Sequence, residues 1–211
     1  MTTPELGGTP QQDLLNYRTV SLSEVHYVGV RCRPVLHVVK QEIEAISACD
    51  KLTVYFDDRN VSHIAGSRGY HINNYRYASP YLSAADVILP ETIEPGERSS
   101  IDLKYYWRQA FLYGHRTVSH PPECRRRIGS TPIESVTMAV SFETAPARVW
   151  ATDWDDIYPS ALMQEGTQTE LEPGPPPETE ERQDATWVEH HFEDCLPGRV
   201  FGIAWEWREQ P

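Results

Sequence analysis

Val136, Met138, Val140 and Phe142 alternate with Thr137, Ala139 and Ser141 after Ile133. An apolar–polar period of two is the mark of a half-buried strand. The same beat runs through Ile101, Leu103, Tyr105 and Trp107, with Asp102 and Lys104 between them. Just ahead, Ile93-Glu94-Pro95-Gly96-Glu97 forms a turn, because proline fixes φ and glycine accepts a positive φ. Leu52-Thr53-Val54-Tyr55-Phe56 is β-branched and aromatic, and Asp57-Asp58-Arg59-Asn60 ends it. Val61 to Ala65 and Tyr70 to Tyr77 flank Gly66-Ser67-Arg68-Gly69, which predicts a hairpin. Trp187 to Phe192 and Val200 to Trp207 flank Leu196-Pro197-Gly198 and predict a second, terminal hairpin.

Two stretches break the rhythm. Behind Pro34, the residues Leu36, Val39, Ile43 and Ile46 fall at helical spacing, while Val35, Val39, Ile43 and Ala45 share one strand face. The neighbouring strands decide this segment for β. Gln164 to Asp184 holds Pro173-Gly174-Pro175-Pro176-Pro177 and then Glu178, Glu180 and Glu181, with little that is apolar. It reads as a mobile acidic, Pro-rich loop over residues 164–184, long enough to be a contact element.

The pattern predicts a mainly β chain: two immunoglobulin-like β-sandwich domains, or one large two-sheet sandwich. Residues 1–14 form a disordered leader, 15–112 a first sandwich and 113–211 a second. Six Trp, eleven Tyr and five Phe supply the large apolar surface that such cores need.

Charge narrows the partners. From Asp153 onward the chain carries 15 acidic side chains and 3 arginines, which accounts for the whole net charge of −12. That region repels phosphate backbones and anionic membranes, so neither nucleic acid nor membrane is an expected partner. No apolar run approaches the roughly 20 residues of a membrane span, and the polar start of the chain is not a signal peptide. Cys32, Cys49, Cys124 and Cys195 lie far apart, with no Cys-x-x-Cys pair, and read as reduced thiols of a cytoplasmic protein.

The candidate chemistry is thin. The eight histidines are His26, His37, His63, His71, His115, His120, His190 and His191, without a His-x-His or His-Glu-x-x-His motif. Adjacent His190 and His191 point to opposite strand faces and cannot share an ion; Glu189, His191 and Glu193 share a face that reads as solvated. Cys124 precedes Arg125, Arg126 and Arg127, cations of the kind that activate a thiolate, with His115 and His120 as the nearest imidazoles in the chain. Three consecutive arginines on a strand divide between its faces, so they make a poor anion pocket and a good charged edge. Trp150, Trp154 and Tyr158, spaced by four across Asp153, Asp155 and Asp156, read as core packing, in a helical turn or otherwise. The acids lack the spacing of a calcium loop. No catalytic, cofactor-binding or metal-ligating residue is assigned, and no cofactor is expected.

Ile93 to Arg98 and the closing Pro197-Gly198-Arg199-Val200-Phe201-Gly202-Ile203-Ala204-Trp205-Glu206-Trp207 resemble a β-rich region of actinobacterial proteins. Members of that group end on a Gly-Ile-x-Trp-x-Trp strand and are sometimes joined to helix-turn-helix or signalling domains. The resemblance implies a β fold over most of residues 15–208 and carries no catalytic residue with it. With no catalytic constellation in view, the expected function is a non-enzymatic interaction or sensor module with a protein partner. The alternatives are a small-molecule-binding protein or cofactor-free cyclase or isomerase with an aromatic-lined β pocket, and an acidic mimic of nucleic acid.

Overall fold

The computed structural model describes residues 16–29, 33–56, 61–66, 69–79, 82–107, 123–155, 168–180 and 182–207. Every regular element among them is a strand, as the alternating pattern requires, and they form three sheets. No helix of the described residues is long and apolar enough to cross a membrane.

The largest sheet has six strands in the order β12 (Thr186–Cys195), β9 (Ile133–Phe142), β1 (Tyr17–Gly29), β2 (Arg33–Ala45), β7 (Arg98–Trp107) and β4 (Val61–Gly66). A second sheet holds β11 (Gln168–Glu170), β10 (Arg148–Asp155), β13 (Arg199–Glu206) and β8 (Glu123–Arg127). The third holds β3 (Cys49–Phe56), β6 (Leu82–Ile93) and β5 (His71–Ser79). β1 and β9 run parallel, with Leu22 opposite Val136 and Glu24 opposite Met138, which makes one sheet of strands from both halves of the chain. The expected boundary at residues 112 and 113 therefore has a continuous ladder across it.

Two cores lie against the long sheet. One gathers Leu22, Val28, Val39, Met138, Phe142, Ile203 and Trp205, and the other Ile43, Leu52, Ile64, Val87, Ile101 and Leu103. β1 and β2 contribute to both, since thirteen residues of extended chain span about 43 Å. Of the residues at helical spacing in 35–46, Leu36, Val39 and Ile43 lie in a strand and Ile46 beyond its end: Val39 and Ile43 each bury one side chain, in different cores.

Both predicted hairpins are corrected. β4 pairs with β7 and β5 with β6, so Gly66 to Gly69 links two sheets. β12 pairs with β9 and β13 with β10 and β8, so Leu196-Pro197-Gly198 does the same. Local turn chemistry is satisfied either way, as Gly198 at φ +79° shows, and what decides pairing is which edge a strand meets. The acidic segment is also anchored where it is described. β11 joins β10, Gly174 exchanges backbone hydrogen bonds with Trp187, Pro176 is buried, and Tyr27 Oη donates to Glu180 Oε2 at 2.6 Å. β9 is buried on both faces, Ala139 and Ser141 included, so the half-buried reading of its alternation holds for the sequence only.

Gly202 marks the tightest packing in the second sheet. A Cβ there lies 2.7 Å from the Cys124 carbonyl oxygen and 3.3 Å from the Trp154 ring. Gly202→Ala is expected to cost about 2–3 kcal/mol by overpacking, read as a lower urea midpoint at unchanged slope. A loss below about 0.5 kcal/mol, the scale of an ordinary surface change, contradicts this account of the contact.

Candidate metal centre

The long sheet buries one carboxylate completely: Glu24 is 0% exposed. Its position follows from period two, because Leu22, Glu24, His26 and Val28 share the β1 face turned towards the second sheet. His26 stands directly opposite His37 of β2, and His37 directly opposite Tyr105 of β7. The register thus lines up three rings. The imidazoles stack at 4.0 Å and 15°, and His37 stacks on Tyr105 at 5.6 Å.

From the facing sheet, β8 sends Arg126 inward, opposite Phe201 on the same ladder. Its Nη2 forms an ion pair with Glu24 Oε1, an oxygen that is itself buried without a hydrogen-bond partner. Glu24 Oε2 faces the imidazoles, 3.4 Å from His26 Nε2 and 3.4 Å from His37 Nε2. Neither approach is a well-formed hydrogen bond, and these ring nitrogens, Glu24 Oε2 and Arg126 Nε are all buried without a hydrogen-bond partner. The two histidine side chains are each 12% exposed.

Electrostatics sets the protonation of the centre. Burial alone raises the Glu24 pKa, but the Arg126 charge, with help from the imidazoles, outweighs it and holds the carboxyl well below the usual range. Burial lowers His37 to about 4, assisted by the charge of His26 and opposed by Glu24. Near neutral pH the centre is therefore a carboxylate, a guanidinium and a neutral His37 imidazole. A neutral imidazole nitrogen is the form that ligates metals.

The geometry suits an ion. A ligand atom from each of Glu24, His26 and His37 lies within 4.8 Å of the others. Zinc bonds of about 2.0–2.1 Å in tetrahedral array place neighbouring ligand atoms about 3.4 Å apart, which matches both measured edges. An octahedral ion at the same bond length brings adjacent ligands to about 3.0 Å. The donor set is one that zinc accepts, and the imidazoles, stacked at 4.0 Å and 15°, must turn for both lone pairs to reach one ion.

The candidates of the sequence fall elsewhere. Cys124 is buried, donates to the Ile203 carbonyl at 3.6 Å, sits 3.2 Å from Met138 Sδ, and burial drives its thiol pKa upward. It is not an activated nucleophile. Arg125 and Arg127 are exposed as a charged edge, whereas Arg126 turns inward, which the reading as an edge alone missed. His191 is half exposed, bonded to Thr137 at 2.8 Å and 3.9 Å from Glu193. Trp150 and Trp154 are buried on β10, a strand rather than a helical turn, and Asp153 and Asp155 pair with Arg199. His115, His120, Cys32, Asp156 and Tyr158 lie outside the described residues. Phe142, Trp205, Phe192 and Phe201 pack edge-on or tilted in the core, whereas Tyr70, Tyr75 and His63 line a pocket beside β4 and β5 with Ile64, Ala65, Gly66 and Ile72.

The sequence reading assigned no metal ligand and did not bring Glu24, His26 and His37 together, as the fold does. Glu24-x-His26 is a same-face pair in a strand, and His37 is the cross-strand partner of His26 on β2. That signal was available, but only to a reading that paired the strands first.

No protein-family model matches the chain, and no curated protein matches it. Among solved structures it is similar to the M1 zinc metallopeptidase from Deinococcus radiodurans, at 14% identity and TM-score 0.47, over 90% of this chain and 42% of that one. A mutant of a two-domain M1 zinc metallopeptidase bound to L-tryptophan gives 15%, 0.48, 90% and 43%. A mutant of the Deinococcus radiodurans enzyme gives 15%, 0.49, 90% and 42%. This chain spans less than half the length of those chains. The expectation of a non-enzymatic interaction or sensor module is corrected by these neighbours, which are enzymes. It rested on finding no chemical constellation in the sequence, and strand pairing assembles one. At such identities and TM-scores the likeness carries no argument, and any chemistry must be argued from this chain's own residues.

Proposed function

We propose that this chain is a metal-binding β domain, in which Glu24 Oε2, His26 Nε2 and His37 Nε2 hold one zinc-like divalent ion. The observation that carries this reading is the set of buried, unpartnered atoms Glu24 Oε2, His26 Nε2 and His37 Nε2, which lie within 4.8 Å of one another. Buried polar atoms are almost always hydrogen-bonded, so three lone ones around a common point call for an occupant. Arg126 supports it by taking Oε1 alone, which orients the carboxylate with Oε2 towards the ring nitrogens. A set of three protein ligands leaves a position open for water or substrate, and the ion supplies Lewis acidity there.

Calorimetric titration of chelator-treated protein with Zn²⁺ tests this, with Co²⁺ as a coloured reporter of geometry. The expected result is one equivalent bound, a tetrahedral Co²⁺ spectrum, and affinity weakened about 100-fold or more in His37→Ala. Folding of the variant is checked by circular dichroism. Uptake by the native chain no tighter than that of His26→Ala/His37→Ala identifies the cluster as a buried ion-pair network instead.

A further inference from the structure

Resting on the metal reading, we propose that Tyr105 is a positioning residue of the centre: its ring is the stop against which His37 turns when an ion enters. One rung crosses the whole six-stranded sheet, with Val188 of β12 opposite Val140 of β9, followed by His26, His37, Tyr105 and Ile64. Residues opposite one another in a sheet project from the same face, so these six side chains form a single row. Val188, Val140 and Ile64 are buried in the flanking cores. The two imidazoles are therefore hemmed in along the row, and a movement of either ring is met by its neighbour.

An imidazole lone pair lies in the plane of its ring, and the His26 and His37 rings are 15° from parallel at 4.0 Å. Planes so nearly parallel do not meet near either nitrogen, so no single ion lies in both and one ring must turn. Neighbouring strands stand about 4.8 Å apart. His37 is closer than that to His26, at 4.0 Å, and farther from Tyr105, at 5.6 Å. It leans on one neighbour and away from the other. The wider side is the one towards which His37 tilts, while His26 is confined between His37 and Val140.

Tyr105 is placed to limit that tilt. Its ring already faces His37 at 29°. It packs against both cores at once, which holds it from two sides. A side chain held in this way sets how far His37 turns, and so where its Nε2 comes to rest against Glu24 Oε2, now 3.4 Å away. Tyr105 thus acts through His37 and not on the ion. Outer groups that orient a ligating histidine typically change metal affinity by about 10–100-fold when removed.

The test compares the native chain, Tyr105→Phe and Tyr105→Leu by Zn²⁺ calorimetry, together with nuclear Overhauser contacts among the three rings. Zn²⁺ is expected to strengthen the His37–Tyr105 contacts and weaken the His26–His37 contacts, both saturating at one equivalent. Tyr105→Phe keeps the ring and should bind Zn²⁺ within about twofold of the native chain, whereas Tyr105→Leu should bind about tenfold more weakly. Circular dichroism checks the folding of Tyr105→Leu, and if that variant does not fold, the ring contacts of the native chain decide alone. Zn²⁺ uptake with those contacts unchanged overturns the proposal and leaves the metal reading standing. Native affinity in folded Tyr105→Leu does the same. A loss in Tyr105→Phe as large as that in Tyr105→Leu assigns the effect to the hydroxyl and overturns the role of the ring. No Zn²⁺ uptake by the native chain removes the metal reading, and this inference with it.

Discussion

Glu24→Ala is expected to lower the unfolding free energy by about 3 kcal/mol in urea titrations with chelator present. The variant leaves Arg126 facing the core without its partner, along with a void where the carboxylate stood. The figure sits at the low end for a broken buried pair, because Arg126 is one-third exposed and can turn part of its charge to water. The double variant Glu24→Leu/Arg126→Met removes both charges and fills the space, so it should recover most of the loss. Its non-additivity with the two single variants measures the coupling across the two sheets. A loss under about 1 kcal/mol in Glu24→Ala, or a double variant as weak as the sum of the singles, rules out the ion pair as a structural bridge.

The second large effect belongs to Asp86, which ties the third sheet together. It accepts hydrogen bonds from Thr53 of β3 at 3.1 Å, and from Asn74 at 2.8 Å and Arg76 at 2.9 Å of β5, and is 4% exposed. Asn74 adopts φ +51° in a bulge of β5 to reach it, a conformation that asparagine tolerates better than most residues. Asp86→Ala is expected to cost about 2–3 kcal/mol, moderated because Arg76 and Lys51 can recover hydration. The pH dependence has a fixed sign. Burial raises the Asp86 pKa, but the bonds from Asn74, Arg76 and Thr53 outweigh it and leave it below the ordinary value. A depressed carboxylate contributes fully above its unfolded pKa of about 3.9, and its contribution is lost as pH falls through the folded value. The stability gap between the native chain and Asp86→Asn should therefore be constant above about pH 5 and shrink below about pH 4. A gap that widens on acidification contradicts this assignment.

Strands were legible because alternation is a local property. The residues of β7 and β9 name their own secondary structure, and Pro95-Gly96 names its turn. Segment 35–46 was harder, since Leu36, Val39, Ile43 and Ile46 mimic a helix. The mimicry arises because one strand serves two cores, and Ile46 lies beyond the strand, exposed at 62%. Pairing was not legible. The turn at Leu196-Pro197-Gly198 suits a hairpin and a corner between sheets equally well, and only the partners of β12 and β13 separate the two. The centre was hidden for the same reason. Arg126 looked like one cation of an edge, and becomes the partner of Glu24 once β8 is laid beside β13 and packed over β1.

By itself, the sequence determined a mainly β chain with an aromatic core, an acidic last third and cysteines with no motif around them. These depend on composition and on spacings of two residues, which a chain carries wherever it folds. Tertiary structure alone decided that β1 pairs in parallel with β9, that two cores share one sheet, and that Glu24, His26, His37 and Arg126 meet. Those four residues span more than a hundred positions of sequence. Cross-strand register brings His26 to His37, and the packing of one sheet on another brings Arg126 to Glu24. Neither distance is encoded in a local pattern, so the chemistry exists only in the folded chain.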